Sequence, residues 1–254
     1  MNNSEAAKRA RGTRWCILGF WLLVAGAVVL VIGLAGGPLG FVPQIKSFML
    51  FGVGLLIVAA AALLTAVGIA ISMGTAGDAS ALRSWGTLAV SVILIGTVLS
   101  QRPDTTNVPP IHDITTDTVN PPRFEAILAL RADAPNPPEY AGGEVARQQQ
   151  QAYPDITTLT IQSPPDEVFA AAEQVARDLG WDIVAADRAA GRIEATDTTT
   201  WFRFKDDVVV RLTARDTGTD VDVRSESRVG RSDMGANAAR IRIFLQQLKA
   251  RVTG

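Results

Sequence analysis

Long apolar runs dominate the first hundred residues, and shorter periodic runs dominate the rest. Trp15 to Ala35 gives 21 residues without a charge, and Phe48 to Ile71 gives 24, studded with Gly and Ala. As a helix the first run covers about 31 Å, close to the roughly 30 Å hydrocarbon core of a bilayer. Ser84 to Gln101 is a shorter charge-free window. Alone it could be a buried strand, but its apolar neighbours upstream and the flanking Arg83 and Arg102 favour a third span. Spans are therefore predicted at about 15–35, 48–71 and 84–101. The first run is longer than a signal-peptide core and no clean small-x-small site closes it. Gly33 and Ala35 come nearest, but Gly-Gly-Pro at 36–38 reads better as a turn, so a retained anchor is predicted.

Beyond residue 102 the pattern changes twice. Residues 103–155 are rich in Pro, Asn, Asp and Thr, yet Ile111, Ile114, Phe124, Ile127, Leu128, Leu130 and Tyr140 interrupt the polarity. This predicts an extended arm lying on a domain, with a short helix at about 123–131 and a looser stretch around 141–151. From Ile156 the periods sharpen. Ile156, Leu159 and Ile161 suggest a short strand. Ser163 is read as a cap with Pro164 at the first helical position. Val168, Ala171, Ala172, Val175, Ala176 and Leu179 then make one helical face that Gly180 ends. Strands are expected at 181–186, 192–199, 208–215 and 220–229, and a helix from about Asp233 with Met234, Ala238, Ile241, Leu245 and Leu248 on its stripe. In the last strand Val221, Val223, Ser225, Ser227 and Val229 alternate with Asp220, Asp222, Arg224, Glu226 and Arg228, which predicts one packed face and one wet face. The fold class is α+β: a three-helix transmembrane anchor (1–102), the arm (103–155), and an antiparallel sheet domain (156–254) of order β-α-β-β-β-β-α with two helices on one face. Trp181 or Trp201 is expected in its core.

Charge sets the topology. Residues 1–100 carry six Lys/Arg and two acids, so residues 101–254 carry the other 18 Lys/Arg and 23 Asp/Glu. A net of −5 argues against nucleic acid as a partner. Lys8, Arg9, Arg11 and Arg14 hold the N-terminal tail in the cytoplasm by the positive-inside rule. With three spans, the loop at 72–83 faces inward and the soluble half is extracytoplasmic. With two spans it would be cytoplasmic. The implied location is a bacterial inner membrane with a periplasmic C-terminal domain. The spans contain no ionisable residue, which removes the carriers a pump would need. Gly19, Gly26 and Gly33 repeat every seventh position, and Gly52, Gly54, Ala59 to Ala62 and Gly68 line the second span. Such stripes allow close helix contact, either within a three-helix anchor or between copies in a homo-oligomer. Cys16, the sole cysteine, is read as an inert filler, and an intrachain disulfide is excluded.

Candidate chemistry is sparse. His112 is the only histidine; with Asp113 and Asp117 it is a weak metal candidate, set against a structural role in a Thr- and Pro-rich run. There is no nucleophile elbow, no Gly-rich phosphate loop, and no cofactor is implied. The densest polar cluster runs from Arg224 through Arg228, Arg231, Ser232 and Asp233 to Asn237, Arg240 and Arg242, joining a strand to a helix N-terminus. It reads either as an internal network, with Asp206 and Asp207 as the acids, or as an anion site at free helix N–H groups.

Several runs also resemble a known family. They are Ile111 to Asp117, Asn120 to Phe124, Tyr153 to Ile156, Gly180-Trp181, Gly191 to Ala195, Trp201 to Arg211, and Val223 to Ser225 with Ser227 to Asp233. In this order they resemble a bacterial family with plant relatives, the domain of unknown function 1499, over about residues 107–250. The resemblance implies a membrane-attached or exported domain and carries over no activity, substrate or cofactor. Three function classes remain. The favoured one is an extracytoplasmic binding or scaffold module acting on protein, envelope polymer or lipid. The others are an anionic-ligand or metal-ion sensor, and an envelope enzyme, which would need acids converging on His112.

Overall fold

The structure is a computed structural model that describes residues 3–72, 78–102 and 105–253. The chain divides into two compact units, Met1–Arg102 with Thr200–Arg203, and Pro103–Thr199 with Phe204–Gly254.

The first unit contains α1 (Asn3–Gly36), α2 (Gln44–Ser72) and α3 (Asp78–Ser100). All three are long and apolar enough to cross a membrane. At 1.5 Å per residue even α3 reaches about 35 Å, so the third apolar window is a full-length helix rather than a strand. It begins at Asp78, inside the loop expected at 72–83, of which residues 73–77 lie outside the described residues. The seven-residue glycine repeat has a plain physical use. Gly12, Gly19, Gly26 and Gly33 are buried on one side of α1, facing Gly68, Thr65, Val58 and Phe51 of α2. A Cβ at Gly33 would stand 2.4 Å from the Phe51 backbone nitrogen, and one at Gly68 would stand 2.8 Å from the Gly12 carbonyl. With no hydrophobic drive between helices in lipid, this backbone approach supplies the packing. Cys16 is buried in the same seam, its thiol directed at the Thr65 carbonyl. On α3 the buried Thr87 and Ser91 hydroxyls donate to the carbonyls one turn back, Arg83 and Thr87, which satisfies them inside the helix.

The second unit is a six-stranded antiparallel sheet. It contains β1 (Asp113–Thr115), a 3₁₀ turn (Leu128–Arg131), α4 (Gly143–Ala152), β2 (Leu159–Ile161), α5 (Pro165–Asp178), β3 (Asp182–Asp187), β4 (Arg192–Thr198), β5 (Lys205–Arg215), β6 (Gly218–Ser227) and α6 (Ala236–Thr253). From β2 onward the order is the β-α-β-β-β-β-α that the periodicities predict. Strands run β1-β6-β5-β4-β3, and β2 also pairs with β6. Thus β1 meets residues 224–226 and β2 meets residues 219–221, sharing one edge of β6 end to end.

The apolar face of the sheet (Ile193, Ala195, Val208, Val210, Leu212, Val221, Val223) packs on α5 and α6 through Val168, Ala172, Val175, Ala238, Ile241, Phe244 and Leu248. Trp181 is in this core, stacked on Phe244 at 5.1 Å, whereas Trp201 is 64% exposed. Local details depart from expectation. Proline lacks an N–H, so two consecutive prolines suit a helix entrance; here Pro164 is itself the N-cap and Pro165 the first helical residue. Ser163 therefore caps nothing and uses its carbonyl to accept from Thr219 Oγ1. The stretch expected to be loose at 141–151 is largely α4, and the short helix expected at 123–131 is reduced to its last turn. Helix α6 starts at Ala236, leaving Met234 exposed in a left-handed turn at φ 54°.

The charged face of β6 departs furthest from expectation. It is not wet. Asp222, Arg224 and Glu226 are buried under the arm, against Thr116, Asp113 and Arg131, and Asp220 is buried beside Thr160 and Arg215. The arm also contributes β1, and its Phe124 and Ile127 form a small apolar cluster with Val209.

Candidate functional site

Strand geometry decides where each candidate side chain goes. Successive residues of a strand point to opposite faces, so the neighbours Asp206 and Asp207 are separated by the sheet itself. Asp207 joins the arm face, where it holds Arg228 bidentately (2.8 and 2.7 Å) and lies 3.4 Å from Arg131. Arg228 donates a further bond to the Leu130 carbonyl in the arm. Asp206 joins the helix face and accepts from Arg240 at 2.7 Å, while Asp197 accepts from the same guanidinium at 2.7 Å. Asn237 is fully buried beside them. Its Oδ1 accepts from Ser225 and Arg240, and its Nδ2 donates to the His112 carbonyl and Ser227 Oγ.

The loop into α6 behaves differently. Asp233 accepts from the N–H groups of Gly235 and Asn237, both at 2.8 Å, and so occupies the helix N-terminus from within. Burial raises its carboxyl above the usual range; those two N–H groups oppose the rise and the nearby Asp206 charge adds to it. Ser232 is exposed and accepts from the Met234 N–H. Arg231 is exposed and meets no acid among the described residues. The eight candidates therefore form two internal networks on opposite faces, Arg228–Asp207 and Arg240–Asn237–Asp206, plus a loop that caps itself.

The His112 group is likewise dispersed. Asp113 is gripped by Arg224 (2.9 and 2.8 Å). Asp117 accepts from the N–H groups of Val119 and Asn120 and from Arg211. Burial pushes the Asp117 carboxyl up, but those backbone donors and Arg211 outweigh it and hold it low. His112 contributes its carbonyl, which accepts from the Ser227 N–H and from Asn237. Among the described residues no group of three His, Cys, Asp or Glu side chains could hold a metal ion.

The densest charge lies under the arm and centres on Arg131, Glu226 and Arg224, of which Arg224 opens the cluster named above. Arg131 forks onto Glu226 at 2.9 and 2.8 Å. Arg224 reaches Asp113, Glu226 and the Pro138 carbonyl, with its guanidinium 4.8 Å from the centre of the Phe124 ring. Burial, then the neighbouring Asp113, pushes the Glu226 carboxyl up to about 8 against the pull of Arg131. Tyr140 lies beside Arg224 and is pushed up to about 12, by burial and then by Asp113. Glu194 is fully buried and accepts from three consecutive backbone N–H groups of the arm, Glu125, Ala126 and Ile127. Gln149 of α4 exchanges two bonds with the backbone of Thr115, as a neighbouring strand would. The lattice is nearly self-neutralising, and its chemistry is to fix the arm in one register; buried ion pairs of this kind specify geometry more than they add net stability.

A cleft is open on this face. It has a volume of about 210 Å³ and is lined by Asn120, Pro121, Pro122, Arg123 and Glu125 of the arm and by Ala190, Arg192, Val209 and Arg211 of the sheet.

Three apolar helices and an arm-clad antiparallel sheet define a membrane-type anchor joined to a small α+β domain. The chain belongs to the family described as protein of unknown function (DUF1499), whose model matches residues 113–248. The match begins at the first residue of β1 and ends within α6, so it takes in most of the arm together with the sheet. No curated protein matches the chain.

Proposed function

We propose that the protein is a membrane-anchored binding or scaffold module that holds its α+β domain on the extracytoplasmic side, with the N-terminus in the cytoplasm of a bacterial cell and the domain in the periplasm. The observation that carries this reading is the count of apolar helices. Three helices able to cross, after a tail bearing Lys8, Arg9, Arg11 and Arg14, support a tail and a domain on opposite sides. The sealed charged face supports the binding part of the reading. A domain whose buried acids are held by its own arginines is a rigid body, fitted to present its outer surface to protein, lipid or envelope polymer. The internal pairing of Arg228 with Asp207 and of Arg240 with Asp206 favours the network reading of that cluster over an anion site at the same residues.

Reporter fusions after Gln101 and after Gly254 test the topology. Both should report an exported position; cytoplasmic signals at both would overturn it. Copurification from native membranes, with mass analysis of retained protein and lipid, should then recover a discrete partner.

A further inference from the structure

The arginine-lined cleft between the arm and the sheet was invisible in the linear chain, because its walls come from three separated segments. Residues 120–125 of the arm form one wall, the β3–β4 turn and the start of β4 form the second, and β5 forms the third. Four charged side chains line it, three of them arginines and one Glu125. Their donors are unequally occupied. Arg211 bonds Asp117, Asp222 and the Asn120 carbonyl, but its buried Nε–H has no acceptor among the described residues. Arg192 pairs with Glu125, whose side chain is 59% exposed, and approaches Glu194 at 3.3 Å. Arg123 is exposed, with no ion pair or hydrogen bond among the described residues. Pro121, Pro122, Val209 and Ala190 give the cleft an apolar side.

From this arrangement we infer that the cleft binds a phosphate group, on a soluble phosphate or on a lipid headgroup, between Arg123 and the Arg192–Arg211 pair. The free guanidinium of Arg123 supplies two donors in the planar fork that suits a phosphate. The Arg192–Glu125 pair is solvent-screened and therefore weak, so an incoming oxyanion displaces Glu125 at little cost. Glu125 acts as a resident competitor. The apolar side accepts the uncharged part of the ligand and excludes water from one flank. This deepens the binding-module reading by giving it a ligand class, and does not depend on which side of the membrane holds the domain.

The test uses the purified full chain in a non-ionic detergent, at constant ionic strength, with thermal unfolding of the domain followed over a series of inorganic phosphate concentrations. A second arm uses short-chain phosphatidylglycerol against short-chain phosphatidylcholine. Phosphate should protect the wild-type chain, and Arg123→Ala should weaken the apparent affinity by roughly tenfold. Glu125→Gln should tighten it by roughly threefold, by freeing Arg192. Arg231→Ala and Glu144→Gln, which make the same charge changes outside the cleft, should leave it unchanged. Selective protection by phosphatidylglycerol assigns the phosphate to a lipid, and protection by inorganic phosphate alone assigns it to a soluble ligand. No protection by any phosphate, or equal effects of Arg123→Ala and Arg231→Ala, would overturn the inference. An unchanged affinity in Glu125→Gln would overturn the competitor role. Phosphate binding can fail while the fusions still report an exported domain, so the two readings fall separately.

Discussion

Replacing Glu194 by Gln should release the arm. In the native protein both carboxylate oxygens face donors: Oε1 accepts from Glu125 and Ala126, and Oε2 from Glu125 and Ile127, at 3.0–3.1 Å. Glutamine keeps one acceptor and turns an NH₂ toward the donors that the other oxygen served. At least one backbone N–H then has no partner in a site sealed from water, which costs about 1–3 kcal/mol. The charge assistance lost from the surviving bonds adds a similar amount, so the expected destabilisation is about 2–6 kcal/mol. The loss should be local first, because Glu194 grips the arm while the α5–α6 core lies on the opposite face. Hydrogen exchange of the full chain in detergent should show the amides of 124–131 exchanging far faster, with those of β5 and α6 less affected. A loss under about 1 kcal/mol in thermal unfolding, with exchange at 125–127 unchanged, would refute the claim that this carboxylate clamps the arm.

Two further outcomes follow from buried charge and from helix contact. The Glu226 carboxyl is raised to about 8 in the folded state from an ordinary 4.5. The native state therefore binds the extra proton, and this contribution is fully present below about pH 4.5 and lost as pH rises through about 8, a change on the order of a few kcal/mol. Glu226→Gln should flatten the decline of melting temperature between pH 5 and 9, and an unaltered slope would count against the raised carboxyl. In the anchor, Gly33→Ala drives a methyl into the Phe51 backbone, whereas a Cβ at Gly86 meets nothing within 4 Å. Gly33→Ala should lower the thermal stability of the helices in detergent and Gly86→Ala should not; equal behaviour would disprove the α1–α2 glycine seam.

What the sequence made legible was whatever local period encodes. Apolar length marked α1 to α3, spacing of three and four marked α5 and α6, and alternation marked β3 to β6. The arm face was misread because alternation reports that two faces differ, not what covers the polar one. Asp222, Arg224 and Glu226 look the same in a sequence whether they meet water or Asp113, Arg131 and Thr116. One signal was present: residues 101–254 contain only two lysines, Lys205 and Lys249, among 18 basic residues. Arginine forks bidentately and is less strongly hydrated than lysine, so an almost lysine-free basic set on a strand points to buried pairs. The candidate cluster was legible as an internal network with Asp206 and Asp207 as its acids, but not as two networks on opposite faces. Contiguity from Arg228 to Arg240 suggested one site, but a strand sends Asp206 and Asp207 to opposite faces, and a helix turn moves Arg240 away from Arg231. The partners of Glu194 and Arg131 come from distant segments, which no local pattern reveals.

The sharing of one β6 edge by β1 and β2 has a consequence for biogenesis. During synthesis β1 appears early, yet its partner at residues 224–226 follows 111 residues later. At about 5–20 residues per second this leaves the arm waiting roughly 6–20 s. Through that interval the arm and both short strands are unpaired edges, open to other chains and to proteases. Because its contacts are so long-range, the sheet closes late rather than growing from the N-terminus. An export route that keeps the chain unfolded until β6 has been delivered would match this order, whereas a stall before residue 218 would leave an exposed, aggregation-prone nascent edge.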